Sequence, residues 1–468
     1  MDKNVIFRLI GWVTVPAILL LCPVPEGLTP KAWILSAFYI AAIMGLIFRP
    51  LPEPAVLLVV LGVYSVFCAG TSIALSGYSA SGVWLVVAAF LVGKAFIDTG
   101  LGQRIAYVLI GKLGKTSLAL GYVAAITDLI IAPATPSNTA RTGGIVFPIF
   151  RSLAYTLGSE PGDTSRRIGA YIALLLHYVS LTTGAMFLTS NATNILTLTF
   201  AKNTFGIDVD WGTFALAIGV PGFFILLMGP WLVYKIYPPT IKDIDNKALA
   251  KEGLERLGPM SIREKLLIVL FIVALILWST SAWTNIASAA VAVAFAGALL
   301  FFRVVTWDVL VSEKGAWSTF IWYGGILSLA GGLAQAGYFK WLADVLGKVI
   351  SFHGMHPVAV MLLITALTLP TRYLFASLGS FVSTMVPVIM VLAQVGGVPG
   401  MLAFVMFCPT TLYWCLFTHY GNACSPVMFG PGYVDQKTWW IKGLILGVIA
   451  VLVLYAIGLP WWKMLGYW

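Results

Sequence analysis

Residues 441–459 read IKGLILGVIAVLVLYAIGL, a stretch in which Lys442 is the single charge. Apolar runs of this kind recur near 6–22, 33–48, 54–75, 83–111, 116–134, 142–157, 168–200, 213–236, 265–282, 284–302, 316–349, 357–375, 381–396 and 398–433. A soluble fold cannot hide so many continuous apolar segments, because part of every helix it builds must face water. Lipid accepts them, and about 20 apolar residues carry a helix across the hydrocarbon layer. With 60% hydrophobic and only 10% charged residues, the chain reads as an all-α polytopic membrane protein.

Several runs are too short or too broken to be simple spans. The pairs 116–134/142–157 and 357–375/381–396 each flank a polar tip, and each is read as a re-entrant helical hairpin. That leaves about eleven transmembrane helices at the usual length per span. The run from Phe7 to Cys22 contains Pro16 and lacks a convincing small-residue cleavage site, so it is expected to stay as a first span rather than leave as a signal peptide.

The formal charge of +10 comes from Lys and Arg lying mostly in short loops between apolar runs. That is the pattern of membrane topogenesis, not of a nucleic-acid groove, and no nucleic-acid partner is expected. With the N-terminus in the cytoplasm, Arg49, Arg104, Lys112, Lys115, Arg166 and Arg167 fall inside, as does the basic stretch 237–265. This stretch divides the chain. The expected organisation is an N-terminal span at 1–22, a first repeat at 23–236 with hairpin 116–157, a cytoplasmic linker at 237–264, and a second repeat at 265–468 with hairpin 357–396. Trp84–Leu109 echoes Ile321–Leu346, with Gly100 and Gly337 at the same place. Unequal span counts in the halves would make the repeat inverted, a known route to a site near the membrane midplane.

The stretch Thr127–Pro148, TDLIIAPATPSNTARTGGIVFP, carries most of the chemistry. An apolar arm stops at Pro133 and Pro136, Ser137-Asn138-Thr139 follows, and Gly143-Gly144 lies at the start of the next apolar arm. Non-helical backbone at membrane depth survives only where protein or a wet cavity satisfies it. Amide N–H groups at the start of the second arm make an anion site, aided by the helix dipole. Oxygens of Ser137 and Asn138, with loose carbonyls, offer a sodium site. A plain surface turn is the competing reading, though such a turn needs no long apolar arms.

The stretch TPSNTARTGGIVFPI resembles the first hairpin signature of the divalent anion/sodium symporter family, in particular its branch of 2-oxoglutarate/malate translocators and citrate– or tartrate–succinate exchangers. AWILSAFYIAAIMGLIFRPLP, TGLGQRIAYVLIGKLGKTSLALGY, YLFAS at 373–377 and THYGNACSPVMFGPGYV at 418–434 extend the resemblance over essentially the whole chain. It implies a scaffold plus an elevator-type transport domain, a homodimer, and residence in the bacterial inner membrane. By position it implies substrate contacts from Ser137, Asn138 and Thr139, from Thr189, Asn191 and Asn194 in the break LTSNATN, from Ser377 in the second tip, and from Ser425 and Pro426 in the second break.

The second tip departs from the pattern. It reads Ala376-Ser377-Leu378 where sodium-coupled members repeat Ser-Asn-Thr, so exchange is favoured over symport. The expected activity is therefore secondary transport of malate, succinate, fumarate or 2-oxoglutarate by exchange. Sodium- or proton-coupled symport of a dicarboxylate, tartrate or citrate is the alternative. Arg141 either balances a dianion, reaches the cytoplasm or pairs with Asp128; Arg372 invites the same argument in the other half. His177 and His419 read as hydrogen-bonded core residues, with proton coupling as the alternative, Lys94 and Asp98 as an i, i+4 ion pair, and Trp439, Trp440, Trp461, Trp462 and Trp468 as interface anchors. No nucleotide loop, zinc spacing or catalytic triad is present, so neither an enzyme nor any cofactor beyond sodium is expected.

Overall fold

A computed structural model of the chain describes residues 3–68 and 70–468. The described residues form helices and connecting turns, with no β-strand among them. Nine helical segments among them are long and apolar enough to cross a membrane, and Ile6–Leu21, Glu53–Phe67 and Ser288–Phe301 are shorter apolar helices. The chain is an integral membrane protein.

Two compact units make up the structure, each assembled from three segments. One comprises Met1–Val87, Leu196–Asp208 and Lys314–Phe404. Here Lys314–Gln335 packs against Pro30–Phe48 and Glu53–Phe67 through buried Leu35, Leu57, Leu61, Ile326 and Leu329. The Tyr39 hydroxyl donates to the Ser383 carbonyl at 2.6 Å. The other unit comprises Ala88–Ile195, Val209–Glu313 and Val405–Trp468. At its centre is Gly169–Met186, buried at every residue, which a helix apolar on all sides requires. Helices Ser117–Ile131, Val220–Ile236 and Gln436–Met464 surround it. This division into units is a different cut from the division into sequence repeats.

The same order of elements occurs in each half. Ser81–Asp98 and Lys314–Gln335 both end two residues before a glycine in the left-handed region, Gly100 (φ 76°) and Gly337 (φ 76°). A side chain there would be strained, so glycine turns the chain into the next helix, Leu101–Leu113 or Tyr338–Val349. A hairpin follows, then a helix interrupted by a short 3₁₀ turn, Leu188–Ser190 in the first half and Trp414–Phe417 in the second.

The polar stretch 237–265 is built into the second-described unit. Its helix Asn246–Leu257 lies along Leu101–Leu113, and Asn246 Nδ2 donates to the carbonyls of Ile110 (2.9 Å) and Gly111 (2.8 Å). Ser261 and Glu264 cap the next helix reciprocally, and Glu264 also pairs with Arg104. Burial disfavours the Glu264 charge, but the Arg104 guanidinium and the Ser261 amide outweigh it and hold the carboxyl below its usual 4.5.

Two expectations fail here. Lys94 and Asp98 form no ion pair among the described residues. Asp98 is exposed at the end of its helix, where water solvates it better than a half-buried lysine would. Trp439 and Trp462 are wholly buried instead of anchoring at an interface. Trp439 packs edge-on against Phe429 and near His177, and Trp462 Nε1 donates to the Ala217 carbonyl at 2.8 Å.

Candidate functional site

The first hairpin forms because its sequence stops one helix and starts another. Pro133 and Pro136 carry no N–H; the helix Ser117–Ile131 tightens to a 3₁₀ turn at Ala132–Ala134, and Thr135 is extended. The second hairpin repeats this grammar in the other unit: Pro357–Thr368, a 3₁₀ turn at Leu369–Leu374, and extended Phe375. Ser137 and Ser377 then do the same job. Ser137 Oγ accepts the Ala140 amide at 3.3 Å, and Ser377 Oγ accepts the Ser380 amide at 3.4 Å. Both serines cap a return arm, which explains why serine is kept in a second tip that lacks its asparagine and threonine.

Beyond Ser137 the return arm opens as a wide π-helical stretch, Thr139–Val146. The first amides of a helix have no acceptor inside it. Ala140 gives its amide to Ser137 Oγ and Arg141 to the Ser137 carbonyl, which leaves those of Asn138 and Thr139 heading the arm. Pro136 and Asn138 are buried while Ser137 and Thr139 are half-buried, so the tip is no loose surface turn.

Arg141 is buried to 0% exposure and pairs with equally buried Asp128 on the first arm, Nε to Oδ2, at 3.0 Å. Its Nη1 donates to the carbonyls of Thr135 (2.9 Å) and Ser190 (3.1 Å). Its Nη2 donates to Asn138 Oδ1 (3.2 Å), the Ser180 carbonyl (3.2 Å) and Thr183 Oγ1 (3.0 Å). All five N–H groups of the guanidinium thus have acceptors on the tip, the first arm and the neighbouring helix. Asp128 is completed by the hydroxyls of Thr142 and Thr183. Of the readings open from sequence, the pairing with Asp128 is the one the geometry contains. Arg372 is buried too, and its Nη1 donates to the Phe375 carbonyl at 2.9 Å. Thr135 and Phe375 each stand two residues before their serine, so both arginines brace the same carbonyl of a tip, one from each arm.

The helix break in the first half closes on this tip. Thr189 donates to the Pro133 carbonyl (2.6 Å) and accepts from Trp211 Nε1 (2.9 Å), and the Ala192 amide donates to the Pro136 carbonyl (3.1 Å). Asn194 bridges the break, its Nδ2 donating to the carbonyls of Gly184 (2.8 Å) and Phe187 (2.9 Å). Asn191 Nδ2 donates to Asn138 Oδ1 at 3.3 Å. Gly184 has to be small: a methyl carbon there would sit 2.7 Å from Asn138 Oδ1.

The turn after the second break reaches the same place. The Cys424 thiol donates to the Asn138 carbonyl at 3.2 Å, and Asn422 Oδ1 accepts from the amides of Cys424 (2.7 Å) and Ser425 (2.8 Å) and from the Ser425 hydroxyl (3.1 Å). Pro426 is exposed and opens the short helix Ser425–Phe429. The structure therefore brings Ser137, Asn138, Thr139, Thr189, Asn191, Asn194 and Ser425 together within one unit, while Ser377 belongs to the other. Sequence reasoning gave no role to Thr183, Asn422 or Cys424. Asn422, lying two residues before Cys424 and three before Ser425, carries the spacing of an Asx turn, which was the available signal. His419 accepts from Trp440 Nε1 at 2.9 Å, a hydrogen-bonded aromatic contact.

Two buried amide nitrogens, Asn138 Nδ2 and Asn422 Nδ2, and the Thr135 hydroxyl have no partner among the described residues. The side-chain oxygen of Asn138 faces donors from Arg141 and Asn191, so this amide presents N–H outward. That polarity suits an anion. Among the described residues no group of three or more His, Cys, Asp and Glu could hold a metal ion.

Residues 3–468 match the sodium:sulfate symporter transmembrane region. The chain belongs to that family. It is 44% identical over 475 residues to the inner membrane protein YbhI of Escherichia coli, covering 100% of this chain and 99% of the relative. It is 33% identical over 477 residues to the L-tartrate/succinate antiporter of Escherichia coli, covering 97% of each. Its fold is similar to that of Neisseria gonorrhoeae MtrF, described as illuminating a class of antimetabolite efflux pumps. That likeness has a TM-score of 0.59 at 13% identity and covers 98% of this chain and 94% of the other.

Proposed function

We propose that this protein is a secondary active transporter that exchanges four- and five-carbon dicarboxylates, such as malate, succinate, fumarate and 2-oxoglutarate, across the bacterial inner membrane. The observation that carries the reading is the pinned Asn138 amide, whose oxygen is held by Arg141 and Asn191 and whose N–H groups are buried without an acceptor among the described residues. A substrate carboxylate supplies that acceptor, joined by the Asn138 and Thr139 backbone amides at the head of the return arm. The relative that exchanges L-tartrate for succinate supports the substrate class and the mode. The tip Ala376-Ser377-Leu378, without a second asparagine, supports exchange over sodium coupling.

The same donors support exchange. Each buried N–H left unsatisfied costs about 1–3 kcal/mol, so the carrier crosses more readily loaded than empty. Counterflow in proteoliposomes tests this: internal succinate or malate should accelerate uptake of labelled succinate, and no acceleration would count against exchange. The family's sodium-linked name favours a second reading, cation-coupled symport. Uptake that needs sodium outside and no substrate inside would establish it. A homodimer with cytoplasmic N-termini completes the proposal, checked by cross-linking in membranes and by N-terminal tag accessibility.

A further inference from the structure

Asn422 stands in the turn that joins the second broken helix to Ser425–Phe429, 6% exposed. Its oxygen accepts two backbone amides and one hydroxyl. Flipping the amide would put its NH₂ group against the Cys424 and Ser425 N–H donors, so the orientation is fixed. The Nδ2 donors, on the other side of the amide from that oxygen, are buried and without an acceptor among the described residues. Asn138 shows the same arrangement: 5% exposed, oxygen pinned by donors, Nδ2 without an acceptor. Cys424 links the two, its amide on Asn422 Oδ1 and its thiol on the Asn138 carbonyl. Buried amides are almost always satisfied in folded proteins, and two left open around one residue mark a place where something else accepts.

We infer that Asn422 is a second carboxylate-binding residue and sets the preference for a dianion. Asn138 holds one carboxylate and Asn422 the other. The inference rests on the proposed dicarboxylate transport and adds the residue that counts the charges. With both amide oxygens engaged, neither side chain offers an oxygen to a cation, so this pair is an anion clamp.

Asn422→Asp separates the two roles of the side chain. Aspartate keeps the oxygen that caps the turn and replaces the outward NH₂ with a second oxygen. In proteoliposomes the variant should show a KM for labelled succinate raised at least about tenfold, the loss of one hydrogen bond to a charged group. Competition by succinate relative to butyrate, which has one carboxylate, should fall by a similar factor. A role confined to the turn would leave that ratio unchanged. If Asn422→Asp unfolds, Asn422→Ser keeps a short acceptor for the turn and withdraws the amide, with the same expected loss of preference. An active wild type with either variant retaining both its KM and its succinate preference overturns the assignment of Asn422 alone. A wild type that carries no dicarboxylate overturns the transport reading and this one together.

Discussion

Removing the Arg141 guanidinium separates a bracing role from a substrate-binding one. Arg141 and Asp128 are both at 0% exposure, and the pair is closed by Thr142 and Thr183. Arg141→Met leaves the Asp128 carboxylate buried beside two hydroxyls and frees the Thr135 and Ser190 carbonyls. Breaking a buried pair from one side typically costs about 3–5 kcal/mol. Arg141→Lys keeps the charge but offers three N–H donors where the guanidinium offers five. Two lost hydrogen bonds from a charged group amount to roughly 3 kcal/mol at least. Replacing both partners by Asp128→Asn with Arg141→Met should destabilise by less than the two single changes summed, because no lone charge remains. The assay is thermal unfolding of purified protein in detergent, paired with uptake in proteoliposomes. All three variants should lower the unfolding midpoint, Arg141→Met more than the double variant. An Arg141→Lys protein with a wild-type midpoint and a raised KM would refute the reasoning, since the guanidinium would then be facing substrate.

Gly184→Ala puts a methyl carbon 2.7 Å from Asn138 Oδ1 and should cut uptake about tenfold by displacing the amide, although alanine favours the helix by about 1 kcal/mol. Gly331→Ala, with nothing within 4 Å, is the matched control, and equal uptake by the two variants would contradict the packing argument. Because Glu264 titrates below its usual 4.5, it stabilises the fold above that value, and the contribution is lost as pH falls through the depressed one. Arg104→Ala should lower the unfolding midpoint at neutral pH and shrink the acid-induced loss; parallel pH curves for variant and wild type would exclude the pair as its source.

Much of the backbone plan was open to sequence reading because local chemistry decides it. Pro133 and Pro136 in the first half and Pro370 in the second, each followed by a serine that caps the next helix, end one apolar arm and begin another. Gly100 and Gly337 stood out in sequence only as aligned positions, and both take the left-handed conformation that glycine adopts without strain. The site was less legible. Arg141 and Asp128 lie 13 residues apart across a reversal, and whether they meet depends on how the π-helical stretch after Ser137 rotates the arginine. Spacing alone cannot supply that rotation. Cys424 reaches Asn138 from 286 residues further along, a contact that only tertiary packing creates, and Asn422 comes near it only through Cys424. The same packing overrode local readings elsewhere. Trp439 and Trp462 sit near span ends as anchors would, yet neighbouring helices bury them; Lys94 and Asp98 share a face, yet water keeps Asp98.

The central claim is that the Asn138 amide receives a substrate carboxylate, and ligand-induced stabilisation of purified protein reads that contact directly. A ligand at a hundred times its dissociation constant stabilises the folded state by about 2.7 kcal/mol. Succinate or malate should raise the unfolding midpoint of the wild type, sulfate should not, and Asn138→Ala should abolish the rise while folding as before. Stabilisation by sulfate in place of the dicarboxylates, or an Asn138→Ala protein that succinate still stabilises to the same degree, would contradict it.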